Sequence, residues 1–509
     1  MRIHLLLFFL FSCFFSVAQK KADPKSFANS ITTDDLKKHL FILAGKEMEG
    51  RETATEGQRK AALYIEDYFK SLNLLPGANG SYQMNYPLYQ DSLINTSIEV
   101  NGKPFEIFKD FTVNLASSNS SVIMGADVVF AGYGYSDSTR DDYKGINARG
   151  KIVLILPGIP PSTENQRRGG GQTAILEAAL KNGAAAVLSV QINFPRNPTT
   201  ALRGAMYYSG FRKTIYPNLF TISEQVARAI MGRDYDSARE AISKGNPQPK
   251  LYNANVLLEL NKQVNKLSSS NVVGYLEGTD KKDEYLVLTA HYDHLGKRND
   301  SIIYYGADDD GSGTVSILEL AEAFTKAKQQ GKGPRRSLIF MTVSGEEKGL
   351  WGSAYYGDHP LFPLEKTTAN LNIDMIGRID PKRKLADSMN YIYVVGDHML
   401  SSDLRPISET ANKKYTNLGL DYKYNEPNDP ERIYYRSDHY NFARKGVPII
   451  FYFNGTHNDY HRPTDTPDKI NYDLMKKRVQ LVFYTAWEMA NRNDMLKRDI
   501  PLNPAPRAF

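Results

Sequence analysis

Cysteine is almost absent: the 509-residue chain has one, Cys13, inside its leading apolar stretch. With no second thiol no disulfide can staple the fold, so the hydrophobic core must hold it. A long apolar run is found only at the start, where "IHLLLFFLFSCFFSV" follows Arg2 and leads to Ala18, two positions after Ser16. A positive start, an apolar stretch and a small-residue cleavage site read as a signal peptide over residues 1–18. A membrane anchor and a lipid anchor through Cys13 rank lower, because the run is short for a span and continues past Cys13. The mature chain would then have no cysteine and no transmembrane span, which fits export to a bacterial periplasm or the cell exterior. Dense Lys/Arg runs with interleaved aromatics are also missing, so the formal charge of +6 indicates a solvated surface and no nucleic-acid partner. Internal repeats are lacking too. The glycine cluster "RRGGGQ" beginning at Arg167 has no framing strand or "GK[ST]", which excludes a phosphate cradle in favour of a loop.

A hydrophobic fraction of 41% and a charged fraction of 24% are those of a soluble globular protein, and the length predicts about two domains. "TTDDLKKHLFILAG", with Thr33 and two acids ahead of an apolar pattern, and "EGQRKAALYIEDYFKSLNL", with Ala62, Ile65, Phe69 and Leu72 on one face, predict two opening helices. From about 124 to 235 the texture changes to short glycine-punctuated strands, "ADVVFAGYGY", "KIVLILPG" and "AAAVLSVQ", with the helix pattern "TAILEAALKNG" between the last two. From about 270 strand and helix patterns alternate: "EYLVLTA" before "TVSILELAEAFTKAKQ", "SLIFMTV" before "KGLWGSAYY", then "ANLNIDMIG" and "PIIFYF". Alternation of this kind predicts an α/β fold, a mostly parallel sheet with helices on both faces. The last helix pattern turns Val479, Phe483, Ala486 and Met489 or Ala490 inward, and "LNPAPRAF" follows as a tail.

In such a sheet, ligands bind beyond the carboxyl ends of the strands. His291 follows "LVLTA", Glu346 and Glu347 follow "SLIFMTVSG", Asp374 ends "ANLNI", His461 lies past "PIIFYF", and Asp308 sits in the glycine-rich "GADDDGSG". Taken singly, each is a helix cap, a solvated turn or a hydrogen-bonded loop residue. Together, two imidazoles and three metal-ligating carboxylates at one sheet edge would place uncompensated negative charge in a cleft, which bound dications neutralise. Five donors crowd a single catalytic zinc, whereas two zinc ions sharing Asp308 use them all. Asp293, two residues beyond His291, faces the same side and can accept the other imidazole N–H. His39, His359 and His398 read as structural or solvent-facing, and His294 and His439 as cleft-lining at most. His457 and His461 have the spacing of a helical zinc pair, but Gly455 and Pro463 argue for a loop.

In this order "NVVGYLEG", "AHYDHLG", "GADDDGSG", "SGEEKGLWGS", "NIDMIG", "SDHYNF" and "HRPTDT" resemble the zinc-dependent aminopeptidases of metallopeptidase family twenty-eight. That family includes glutamate carboxypeptidase and the catalytically silent transferrin receptor. The match covers 271 to about 490, and "EGRETAT" looks like the family's N-terminal segment. The resemblance implies the zinc exopeptidase fold, with its phosphorylase/hydrolase-like sheet, and two zinc ions per chain. His291 and Asp374 would bind one, Glu347 and His461 the other, and Asp308 both. It also implies Glu346 as general base, Tyr434 as oxyanion partner, and a cis peptide between Asp308 and Asp309. The segment 124–235, through "DDYKGINARGKIVLILPG" and "AALKNGAAAVLSV", resembles a protease-associated domain, a small α+β insert.

The expected organisation is therefore a signal over 1–18, peptidase domain over 22–110 and 256–493, insert over 111–255, and tail over 494–509. The expected activity is an exported di-zinc aminopeptidase acting on peptides. A carboxypeptidase or dipeptidase, with Arg436 holding the substrate's terminal carboxylate, is the first alternative. Glutaminyl cyclase with one zinc comes next, and a non-catalytic receptor last.

Overall fold

The computed structural model describes residues 23–502 apart from 139, 157, 159–170, 197–201, 300 and 386, so the signal segment and the end of the tail lie outside the described residues. The described residues form two compact units, 23–85 with 270–502, and 86–269. The divisions fall within long strands, Gln83–Val100 and Lys250–Leu276, and not at 110/111 and 255/256. Continuous strands show no composition shift at the point where their packing partners change, so sequence texture has no boundary to register there.

The first unit is built on seven strands, in chain order β1 (Lys250–Leu276, through its last residues), β2 (Lys281–His291), β3 (Arg336–Val343), β4 (Thr367–Ile373), β5 (Tyr391–Val395), β6 (Gly419–Asp421) and β7 (Ile449–Phe453). Their order across the sheet is β6-β5-β7-β4-β2-β3-β1. The inner strands β7, β4, β2 and β3 are mutually parallel, with register pairs such as Leu288 to Phe340 and Leu288 to Leu371, while β5 and β1 run antiparallel at the flanks. Every residue of β3 and β4 is buried, as expected of strands covered on both faces.

Alternation along β2 and β3 feeds two cores. Leu286, Leu288, Ala290, Leu338 and Phe340 pack with Thr33–Leu43, Glu56–Ser71, Gly313–Gln329 and Tyr472–Asn491. Val287, Ile339, Met341 and Val343 face the other side, with Tyr356 and Phe442 from Trp351–Asp358 and His439–Ala443. The last helix buries Val479, Phe483, Ala486, Met489 and Ala490, the stripe its periodicity predicts. Thr32, one residue before the expected Thr33, caps the helix Thr33–Leu43 by accepting from the Asp35 amide. Among the described residues no helix is long and apolar enough to cross a membrane.

The second unit is also built on strands. The first part of Lys250–Leu276 pairs antiparallel with Ser121–Phe130, and Ser121–Phe130, Ile152–Ile155, Ala186–Val190 and Asn218–Ile222 follow in parallel. Phe111–Val113 closes the edge antiparallel. Val128, Phe130, Ile152, Leu154 and Leu188 form one core of this unit, and Val129, Val153 and Val187 a smaller one on the opposite face.

Candidate metal centre

The parallel strands of the first unit end together, and the chain leaves each end with a chemistry-bearing side chain. His291 is the last residue of β2, Glu346 and Glu347 stand three and four residues past β3, Asp374 directly follows β4, and His461 lies in the loop after β7. The fifth position belongs to Asp309. Its Oδ1 lies 3.3 Å from Nε2 of His291 and its Oδ2 3.1 Å from Nε2 of His461, one oxygen to each imidazole. Asp374 Oδ1 stands 3.6 Å from Nε2 of His291, and Glu347 Oε2 3.1 Å from Nε2 of His461.

Asp308, the expected shared carboxylate, points elsewhere. Its Oδ1 accepts the Gly377 amide at 2.6 Å and its Oδ2 faces Nε2 of His457 at 3.3 Å. The cis peptide likewise joins Asp309 to Asp310 and not Asp308 to Asp309. Both differences are a register of one residue inside an acidic triplet, where spacing cannot tell which carboxylate the turn aims into the cleft. Asp310 acts as a brace: its Oδ1 accepts the amides of Gly313 and Met375, and its Oδ2 that of His291. It stands with His291 and Asp374 in a group whose ligand atoms lie within 4.8 Å of one another, and its two oxygens accept those three N–H groups.

The surrounding groups hold the donors in place. Ser437 donates to Asp374 Oδ2 at 2.8 Å and is held by Asn372 Nδ2, leaving Oδ1 turned toward His291. Nδ1 of His291 meets the backbone carbonyl of Asp293 at 3.1 Å, while the Asp293 carboxylate oxygen is 3.7 Å away. That carboxylate accepts instead from Thr53 Oγ1 and the Glu346 amide. Asp465 Oδ2 accepts the amides of both Asp308 and Asp309, tying the acidic turn to the loop that carries His461. His294, which the sequence marks only as cleft-lining, places Nδ1 2.7 Å from Glu347 Oε1. The acidic turn and a histidine three residues past a candidate ligand were the only signals for these supports.

The two adjacent glutamates face different imidazoles, Glu347 that of His461 and Glu346 that of His291, the latter at 3.9 Å. Burial drives the Glu346 carboxyl well above its usual range, and Glu347 and Asp374 add to this against the pull of His291. Burial works to lower His461, but Asp309 and Glu347 outweigh it and push the imidazole up to about 10. Asp309 is held well below the carboxylate range, because His291 and His461 overcome the burial that would raise it.

The arrangement suits divalent cations. Two donors, each about 2.0–2.1 Å from a tetrahedral zinc, stand ~3.3 Å apart, and the four donor separations here are 3.1, 3.1, 3.3 and 3.6 Å. His291 Nε2 and Asp374 Oδ1 are buried with no hydrogen-bond partner among the described residues, which leaves both for a cation.

The cleft beside these acids is walled by Met375, Ile433, Phe451 and Phe453, with Arg436 and Tyr460 also on it. Tyr460 stacks on the His461 ring at 3.8 Å. Tyr434 is not on that wall; it is buried against Tyr435, His439 and Tyr440, and its hydroxyl has no hydrogen-bond partner among the described residues. His457 pairs with Asp308, His439 stacks on Phe451 and donates to the Tyr434 carbonyl, and His39 meets the Tyr64 hydroxyl.

Residues 271–486 match the family described as Peptidase family M28. The chain is 31% identical over 218 residues to a probable leucine aminopeptidase of Arthroderma otae, covering 42% of this chain and 56% of that protein. It is 26% identical over 262 residues to a probable zinc metalloprotease of Pyricularia oryzae, covering 44% of this chain and 50% of that protein. The chain spans about half the length of these curated relatives. Among solved structures, the aminopeptidase from Aneurinibacillus sp. strain AM-1 aligns over 96% of this chain and 100% of its own, with a TM-score of 0.55 and 18% identity, a likeness of fold.

The placing of the Asp309 carboxylate between the imidazoles of His291 and His461 has a direct consequence. In zinc titrations monitored by a competing chromophoric chelator, Asp309→Asn is expected to weaken binding at least about a hundredfold, and Asp308→Asn less than about tenfold, the lower end for outer partners. The same titration tests the raised imidazole. A folded-state value of about 10 for His461 means a proton occupies the ring at neutral pH and must leave before the nitrogen can ligate. Apparent zinc affinity is therefore expected to fall by about tenfold or more between pH 8 and pH 6; a flat profile would contradict the assignment.

Proposed function

Because residues 271–486 match Peptidase family M28, we propose that the protein is an exported two-zinc exopeptidase that releases residues from peptide N-termini. The observation that carries this reading is the Asp309 carboxylate set between the imidazoles of His291 and His461, with Asp374 beside the first and Glu347 beside the second. His291 with Asp374 would hold one zinc, Glu347 with His461 the other, and Asp309 both. Bound there, zinc supplies a Lewis acid toward the scissile carbonyl and brings the pKa of a water to ~7.

Glu346 is the general base. Its carboxylate reaches the cleft without belonging to the donor set, and its burial raises its affinity for a proton. It takes the proton of the attacking water and returns it to the departing amine. The Asp293 carboxylate, by accepting the Glu346 amide, fixes where that base stands. Tyr434, buried off the cleft wall with no other partner for its hydroxyl among the described residues, would have to turn toward the cleft to donate to the developing oxyanion. The apolar wall of Met375, Ile433, Phe451 and Phe453 takes the side chain of the released residue. The second unit is read as a protease-associated insert.

A carboxypeptidase or dipeptidase reading is favoured by Arg436, an exposed guanidinium on the cleft whose hydrogen bond goes to the Tyr460 hydroxyl at 3.4 Å and which can take a carboxylate. Peptides blocked at one end decide between them: an aminopeptidase is stopped by N-acetylation and tolerates C-terminal amidation, and the reverse pattern would establish the alternative. On aminoacyl chromogenic amides, activity is expected to vanish with chelator and return with zinc. Glu346→Gln is expected to keep its zinc and lose at least about 100- to 10,000-fold in kcat, the range of a lost proton-transfer group; turnover at wild-type speed would remove Glu346 from the mechanism.

A further inference from the structure

Arg51 is only 1% exposed, yet its guanidinium donates to neutral acceptors. Nε reaches the carbonyl of Tyr292 at 2.6 Å, Nη1 those of Leu43 at 2.7 Å and Tyr305 at 2.8 Å, and Nη2 that of Gly306 at 2.8 Å. Tyr292 follows the candidate ligand His291, and Gly306 precedes Asp309 by three residues. The backbone around Arg51 repeats the same attachment: His294 N donates to the Arg51 carbonyl and Gly296 N to that of Gly50, while Tyr304 N closes onto Gly296. Gly50 has no room for a side chain, since a Cβ would stand 2.3 Å from the Gly296 carbonyl oxygen.

Burying a guanidinium is costly unless its surroundings offset the charge. Here desolvation lowers Arg51 to about 10, and the fields of Asp293, Asp309, Asp465 and Asp310 oppose that loss, so it remains a cation at neutral pH. Only a planar fork can serve four carbonyls on three segments; an ammonium has three donors and no such geometry.

We propose that Arg51 is a positioning residue for the metal centre, a fixed cation that clamps the segment after His291 to the turn bearing Asp309 and so sets the donor spacing before any ion arrives. The inference rests on the two-zinc reading above and goes beyond it, because Arg51 touches neither ion nor substrate. It requires that the two segments be ordered in the metal-free protein and that loss of the fork act on the ions and not merely on the fold.

The test compares Arg51→Lys, which keeps the charge and loses the fork, with Arg336→Lys. Arg336 is equally buried and also donates to backbone carbonyls, of Met489, Arg492 and Asn493, but it stands at the opposite end of β3. Arg51→Lys is expected to lower affinity for the weaker zinc and kcat each by about tenfold or more, with KM within about threefold, the scale of lost outer partners. Arg336→Lys is expected to lower Tm and leave zinc affinity and kcat within about twofold. Wild-type affinity and kcat in folded Arg51→Lys, or equal losses in the two variants, would overturn the proposal. Hydrogen exchange on the wild type needs no variant to fold: zinc removal should leave amide protection at 292–296 and 304–307 within about threefold, and an acceleration above about tenfold would show that the metal and not Arg51 orders them. A wild-type protein that takes up no zinc would instead overturn the two-zinc reading itself.

Discussion

Everything at this site follows from confining several carboxylates to the low-dielectric edge of one sheet. Asp309, Asp310, Glu346, Glu347 and Asp374 lie among buried strand ends and turns, where like charges repel strongly and water cannot screen them. Such a cluster is tolerable only if each oxygen has a defined use. Oxygens turned away from the cleft are taken by N–H or O–H donors, as Asp310 is by three amides and Asp374 Oδ2 by Ser437. Those turned inward face imidazoles at 3.1 to 3.6 Å, spacings that suit a cation between them.

The scaffold provides the rigidity this requires. Four parallel strands, β7, β4, β2 and β3, end side by side, and apolar layers pack against both of their faces. Donors attached to strand ends inherit the register of the sheet, so their spacing is set by backbone hydrogen bonds and not by flexible loops. The two donors that do come from loops, Asp309 and His461, are joined by Asp465, whose carboxylate takes the amides of the acidic turn. Arg51 performs the corresponding task between that turn and the end of β2.

Much of this is legible in the amino-acid sequence. Strand runs of four to eight apolar residues, each followed by a loop carrying His, Glu or Asp, identify the strand ends and their chemistry together. Four of the five side chains that converge, His291, Glu347, Asp374 and His461, stand out in that pattern. The fifth was displaced by one residue, Asp308 for Asp309, because three consecutive aspartates share every property a sequence can display. Their directions depend on which neighbouring amide captures which oxygen: Gly377 takes Asp308, and Gly313 with Met375 takes Asp310. The supports fared similarly. Asp293 was placed beside His291, but its backbone carbonyl makes the contact and its carboxylate serves Glu346 and Thr53.

The sequence by itself determined the class of fold, the faces of the helices and the kinds of side chain gathered at the strand ends, since periodicity and residue type are local properties. Only the tertiary structure decided which oxygen faces which nitrogen, where the two units divide, and that a buried arginine from the opening segment reaches both the segment after His291 and the turn before Asp309. Those facts depend on contacts between segments separated by up to about 250 positions, such as Arg51 with Tyr305 and Gly306, and no local pattern records a partner that far away.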